Sequence, residues 1–199
     1  FRKIMDERKI LLVNLSKGRL GDINSNLIGL ILVGKILMAA LSRVDALDEK
    51  PSDFYLYIDE FQNVTTDSIA TILSEARKYR LSLNVAHQFI AQLEEKIKDA
   101  VFGNVGSIVS FRIGAEDAEA LEPQFAPVFT AHDIMNLDNY NAYLRLLSNN
   151  QPIKPFNIET LPFTKGDSAV AQNVKDLSYQ KYGLDRAEVE AEIMKKYAK

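Results

Sequence analysis

The chain has 199 residues, 47% of them apolar and 26% charged, with a net charge of −3. That is the size and composition of one ordinary globular core with at most a small appendage, and the slight acidity gives no global electrostatic drive toward nucleic acid. The absence of cysteine excludes disulfides and thiolate metal centres, and two isolated histidines argue against a zinc site.

In chain order, the abrupt start at Phe1-Arg2-Lys3, without an initiator methionine, reads as a piece of a longer protein. Residues 9–15 (KILLVNL) read as a buried strand and residues 16–21 as the loop at its end. Asp22 or Asn24 is placed to cap a long helix over residues 25–43, apolar on nearly all sides and hence expected to be well covered. Its longest apolar stretch, residues 27–41, is interrupted by Lys35 and reads as too short to cross a bilayer comfortably. Residues 45–53 form a polar linker loop, followed by an apolar strand ending in acids, FYLYIDEFQ at residues 54–62. Thr65 and Thr66 then read as caps of a helix that ends near Tyr79. A short strand over 81–86, a helix over 89–102 and a strand over 107–113 complete an alternating pattern, which implies right-handed crossovers and a parallel sheet with helices on both faces. Beyond Gly114 the texture changes. Short helices at 115–121 and 131–137 flank Pro123 and Pro127, and residues 140–147 alternate like an edge strand. Three prolines, at 152, 155 and 162, break up an extended stretch. Two polar helices, 168–182 and 186–199, carry too few apolar residues to anchor firmly. The division expected is a core over 1–150 and a tail over 151–199.

The chemistry concentrates at strand ends. A buried strand that delivers Asp59 and Glu60 side by side can assign them separate tasks, one holding magnesium and one activating water, with side-chain alternation sending them to opposite sides. The same pattern is also an ordinary strand-to-helix turn with a solvated acid. One helix and one strand later, LNVAHQ (83–88) sets Gln88 at a second strand end. In a parallel sheet both ends open on one rim, where ligands of such folds bind. A neutral amide there can touch a terminal phosphate or the attacking water without disturbing metal charge. Arg77 and Arg80 close the intervening helix, where cations suit the dipole in any case; the sharper reading makes one of them a finger reaching a neighbouring subunit's triphosphate. Arg112, at the end of the last core strand, is a third such cation. Gly29 to Lys35 (GLILVGK) matches the spacing of a phosphate loop, yet no strand directly precedes it and Ile36 stands where a hydroxyl should bind magnesium. It reads instead as a packed helix with small-residue contacts, and the true phosphate cradle is expected upstream of Phe1.

The order of these landmarks resembles the coupling-protein branch of the FtsK/HerA translocase superfamily, the TraG/TraD-type ring ATPases of conjugation and type IV secretion. The resemblance is carried by ILLVNLSKG (10–18), YIDEFQ (57–62), EARKY (75–79), LNVAHQ (83–88), Gln92-Leu93, Phe111-Arg112 and Asp117. It covers about residues 9–147, and Tyr182-Gly183 with Val189-Glu190 is similar to the tail of relatives. The resemblance implies a RecA-like P-loop NTPase fold of the α/β class, lacking its phosphate loop, within a homohexamer that uses ATP and Mg2+ to move DNA. It implies Asp59 as the magnesium acid acting through water, Glu60 as general base, Gln88 as phosphate sensor and Arg77 as the finger, with Arg80 and Arg112 as further nucleotide-facing cations. It also implies a cytoplasmic location, with an anchor at the inner face of the bacterial membrane in the full-length protein, and little hydrolysis by this stretch alone. Secretion-channel or relaxosome proteins are the partners expected for the tail.

Two other readings stand beside it. YIDEFQ also resembles the second motif of superfamily 1 helicases, although the Gly-Asp-x-x-Gln turn of those proteins is replaced here by Ala86-His87-Gln88. Alternatively the chain is a non-catalytic module that recruits a substrate or partner, to which a weakly apolar tail that orders on binding is suited.

Overall fold

The computed structural model describes residues 1–49, 51–65, 69, 72–73 and 75–198. The expected cap Thr66 lies outside the described residues. The chain divides into two units, Phe1–Thr160 and Leu161–Lys199.

The first unit opens with the short helices α1 (Arg2–Asp6) and α2 (Lys17–Leu20) and the long α3 (Asp22–Leu41). Residues 9–15, expected as a buried strand, join no ladder among the described residues, and Ile10 and Leu12 are more than four-fifths exposed. An apolar run favours a strand only where a neighbouring edge can take its backbone groups. Helix α3 starts after Gly21, whose φ of 76° turns the chain, with Asp22 in its first turn. Its buried stripe is Ser25, Gly29, Val33, Ile36, Leu37 and Ala40, a run of threes and fours that keeps to one side. The opposite side, with Ile23, Leu27, Ile31 and Met38, is exposed, so the helix is covered on one face rather than all round. By length and composition the stretch Asp22–Asp45 would suffice to cross a membrane, longer than the sequence suggested because the helix runs into a 3-10 turn at Ser42–Glu49. Val33, Ile36, Leu37 and Ala40 of its buried stripe belong to the apolar core. Gly29 lies inside this helix, as the packed-helix reading required. A Cβ there would sit 2.5 Å from Val64 Cγ1.

Strands β1 (Phe54–Ile58) and β2 (Leu81–Val85) pair in parallel, from Phe54 opposite Leu81 to Ile58 opposite Val85. Phe54, Leu56 and Ile58 face the core while Tyr55 and Tyr57 face out, the period-two pattern of a half-covered sheet. Between the strands, Ile69, Ile72, Leu73 and Glu75 are helical and a 3-10 turn covers Ala76–Tyr79. Phe61, Ile69, Ile72 and Ile97 are almost completely buried in this core, each worth about 1.5–3 kcal/mol of transfer free energy.

The helix expected over 89–102 is interrupted. A 3-10 turn at Ile90–Gln92 is followed by extended backbone at Leu93 and Glu94, and only then by α4 (Glu95–Asn104). Strand β3 (Ile108–Ser110) does not extend the parallel pair; it runs antiparallel to β4 (Asn141–Arg145), which also pairs with β7 (Phe156–Glu159). Strand β4 is therefore the centre of a three-stranded sheet and not the edge its sequence suggested. Its inward residue, Ala142, is completely buried. Pro123, expected between helices, lies within α5 (Ala115–Phe125), and α6 (Ala131–Met135) follows, closed by a Thr130–Asp133 capping box. Because β7 pairs with β4, the first unit runs to Thr160, past the boundary expected after residue 150. A small hairpin of β5 (Leu147–Ser148) and β6 (Gln151–Pro152) lies within it.

The second unit holds α7 (Ser168–Tyr182) and α8 (Arg186–Tyr197), close to the expected spans. Asp167 and Asp185 cap them, each accepting from two backbone N–H groups of the first turn. Neither helix has a buried residue.

Candidate functional site

The in-register pairing of β1 and β2 brings their C-terminal ends level, so Asp59 and Ala86 leave the sheet side by side. Two backbone bonds tie the ends together: Ala86 N donates to Ile58 O at 2.9 Å and Phe61 N donates to Ala86 O at 2.9 Å. On this rim the Gln88 amide donates to Glu60 Oε1 at 2.6 Å. Glu60 Oε2 accepts from the Gln62 amide at 2.7 Å. One carboxylate is thus clasped by two amides, which hold it in place without neutralising its charge.

The strand's alternation of exposure continues through the acid pair, with Asp59 exposed and Glu60 half-buried. Glu60 takes a left-handed conformation, with φ 51° and ψ 46°, which ends the strand and starts the 3-10 turn Phe61–Val64. Both acids border a cleft of about 950 Å³. The cleft lies between residues 9–15 and β1 and is mostly apolar, so charge at its acidic end is poorly screened. Asp59 Oδ1 accepts from Glu60 N at 3.0 Å, which steadies the turn.

The three arginines stand apart from this rim. Arg80 precedes β2, at the opposite end of the parallel pair, where it has a φ of 59° and an ion pair with Asp53 at 3.3 Å. Arg8, Ser52, Asp53, Tyr55 and Arg80 line a separate polar hollow there. Arg77, a turn earlier, donates to Asn150 Oδ1 at 3.1 Å. Arg112 does not end a strand of the parallel sheet as expected; it follows the antiparallel β3 and donates to Asn139 Oδ1 at 3.0 Å. No arginine among the three contacts Glu60 or Gln88 within the chain.

Gln62, the last residue of the YIDEFQ run, clasps Glu60, while its own Oε1 is buried without a hydrogen-bond partner. Arg43, away from this rim, is completely buried, and Asp117 is 7% exposed. In the sequence Arg43 is one more cation at a helix C-terminus; only tertiary burial distinguishes it.

His87, beside Gln88, has its pKa lowered by burial, partly offset by the charge of Asp117. The folded state therefore resists a proton that the unfolded chain accepts near its ordinary value of about 6.5. Stability from this group is complete above about pH 6.5 and declines as the pH falls below it. Urea midpoints measured across this range should fall on the acid side in the wild type and fall less steeply in His87→Gln; parallel profiles would remove His87 as the cause.

The donors present suit part of a nucleotide site. Asp59 with its water-accessible carboxylate suits magnesium, which keeps several of its waters, and the clasped Glu60 suits a base beside the terminal phosphate. Gly29 to Lys35 supplies no phosphate cradle, because it is helical.

Residues 53–123 match the family described as the TraM recognition site of TraD and TraG. Among solved structures, the chain is similar to the bacterial conjugative coupling protein TrwBdeltaN70 in its trigonal form with sulphate, at 18% identity and TM-score 0.55, covering 67% of this chain and 36% of that one. It is similar to the plasmid coupling protein TrwB in complex with the non-hydrolysable GTP analogue GDPNP, at 21% identity and TM-score 0.54, covering 69% of this chain and 38% of that one. A third likeness is to the genome packaging NTPase B204 from Sulfolobus turreted icosahedral virus 2 in complex with AMPPCP, at 16% identity and TM-score 0.50, covering 67% and 63%. No protein of curated function matches the chain. The fold is a partial RecA-like α/β core, and the chain spans little more than a third of the TrwB chains. The family match and the fold agree with the resemblance to TraG/TraD-type coupling proteins that the motifs carry.

Proposed function

We propose that this chain, a coupling-protein-like module of conjugation, supplies the acid-bearing part of an ATP-driven DNA translocase. The observation that carries the reading is the contact between Gln88 and Glu60 at 2.6 Å, which joins the ends of neighbouring parallel strands. In the working assembly, a homohexamer on the cytoplasmic side of the membrane, Asp59 holds Mg2+ through water. Glu60 takes the proton of the attacking water, and Gln88 reports the terminal phosphate. Bound ATP supplies the phosphoryl group, and the phosphate cradle comes from outside this chain.

Glu60 accepts one amide on each oxygen, and each oxygen keeps a second lone pair that can accept the proton of water. Gln88 is the more exposed of the two clasping amides and is the natural one to exchange Glu60 for the terminal phosphate. Arg77 extends from the far end of the pair and is the first choice for a finger toward a neighbouring subunit, with Arg80 and Arg112 as further nucleotide-facing cations. In an assembled ATPase carrying this chain, Gln88→Ala should lower kcat by about 10- to 100-fold with little change in nucleotide affinity. Unchanged kcat would remove Gln88 from the reaction.

A second reading is favoured by the family description itself. The matched segment, residues 53–123, lies in the first unit and supports a part for that unit, besides the tail, in recognising a relaxosome protein. Val170, Val174 and Leu177 nevertheless form an exposed stripe on α7, suited to a partner that orders it.

A further inference from the structure

The loop that carries Gln88 is held at two points. At one end, Ala86 is bonded through both its N–H and its carbonyl to the end of β1 and the turn after it. At the other, Ile90 N donates to both oxygens of Asp117, at 3.2 Å each. Asp117 belongs to the first turn of α5, and the side chains around it are the apolar cluster of Ile90, Ala118, Leu121 and Phe125. A carboxylate so placed loses much of its hydration, so its attachment to Ile90 N is its compensation in the core.

Gln88 lies midway between the two points and is exposed. One hydrogen bond made in water favours its closed geometry by only a factor of about five to ten. A fixed backbone on both sides is therefore needed to keep that amide on Glu60. We infer that Asp117 is a positioning residue for Gln88: by anchoring Ile90 it sets the backbone that delivers the Gln88 amide to Glu60, and so places the acid rim under the control of helix α5. The inference rests on the hydrolytic reading of Glu60 and Gln88 for its catalytic consequence, but not for its structural content.

The test is made on the intact chain, with the side-chain amide resonances of Gln88 as the readout. Asp117→Ala should move them to the positions of a free glutamine amide. Asp117→Asn, which keeps one acceptor for Ile90 N, should move them part of the way. Leu121→Ala, which damages the same helix and apolar cluster without touching the Ile90 bond, should leave them in place. If Asp117→Ala does not fold, the asparagine variant decides: a partial shift supports the inference and no shift overturns it. Equal shifts in Asp117→Asn and Leu121→Ala would also overturn it, since general loosening would then suffice. In an assembled ATPase the asparagine variant should lose a few-fold in kcat at unchanged nucleotide KM. Loss of the amide shift sinks the positioning role whatever the turnover, whereas normal turnover in Glu60→Gln sinks the hydrolytic reading and leaves the amide result standing.

Discussion

Replacing Glu60 by glutamine should lower ATP turnover by at least about 100-fold while nucleotide still binds, a loss of roughly 3 kcal/mol or more in transition-state stabilisation. The substitution conserves shape and removes only the basicity of the group. The clasp has to adjust: a glutamine at this position offers one acceptor in place of two, so the amide of Gln62 or Gln88 must turn its oxygen toward the new NH2. Gln62 is suited to this, because its Oε1 has no partner to surrender. The fold should consequently lose no more than about 1 kcal/mol. Turnover and nucleotide binding measured on an assembled ATPase, with a thermal melt of the same variant, separate the outcomes. Normal turnover would exclude Glu60 as the base, and lost binding would make it a ligand-holding group instead.

The largest effect on stability is expected at Arg43. Its guanidinium is completely buried; Nε donates to Asp6 Oδ1 at 3.0 Å and Nη1 donates to the carbonyls of Ser52 and Tyr79, both at 3.1 Å. Nη2 also lies 3.0 Å from Asp6 Oδ1, close enough for an ion pair but misaligned for a hydrogen bond. Arg43→Ala removes the packing of the side chain and strands two carbonyls away from water, at a cost of about 3 kcal/mol. Asp6 is 41% exposed and recovers hydration, which keeps the loss below that of a fully buried pair. Lysine should not restore it, because a single ammonium on a flexible stem cannot match the planar fork that serves three acceptors. Arg2→Ala, which breaks exposed contacts to Asp6, the Ser42 carbonyl and Asp45, should move the midpoint much less and serves as the comparison. Denaturant midpoints measure all three, and an Arg43→Ala midpoint equal to that of Arg2→Ala would show that the buried network contributes nothing.

Much of the parallel pair was legible because its signals are local. Tyr55 and Tyr57 alternate with Phe54, Leu56 and Ile58, and polar residues bound both strands. Equal strand lengths then bring the two ends level, which sets Glu60 and Gln88 on one rim. What failed depended on partners distant in sequence. Residues 9–15 have the composition of a strand but pair with no strand among the described residues, although the outer edge of β1 is open, and β4 is central only because the proline-flanked β7 closes on its second edge. The left-handed turn at Glu60, which ends the strand, is marked by nothing in the sequence. Arg43 was hidden by the opposite ambiguity: helix ends attract charges of their sign whether or not the charge is buried.

Gly29 and Gly34 share a spacing that imitates a phosphate loop, yet only the first has a steric reason to lack a side chain. Nothing lies within 4 Å of a Cβ built on Gly34, whereas one on Gly29 would press on Val64, the last residue of the turn that begins just after Glu60. The missing methyl acts as a spacer, setting how far that turn can settle onto the long helix and thus the height at which the carboxylate stands. A position with no side chain of its own can in this way be as intolerant of change as the acid it supports.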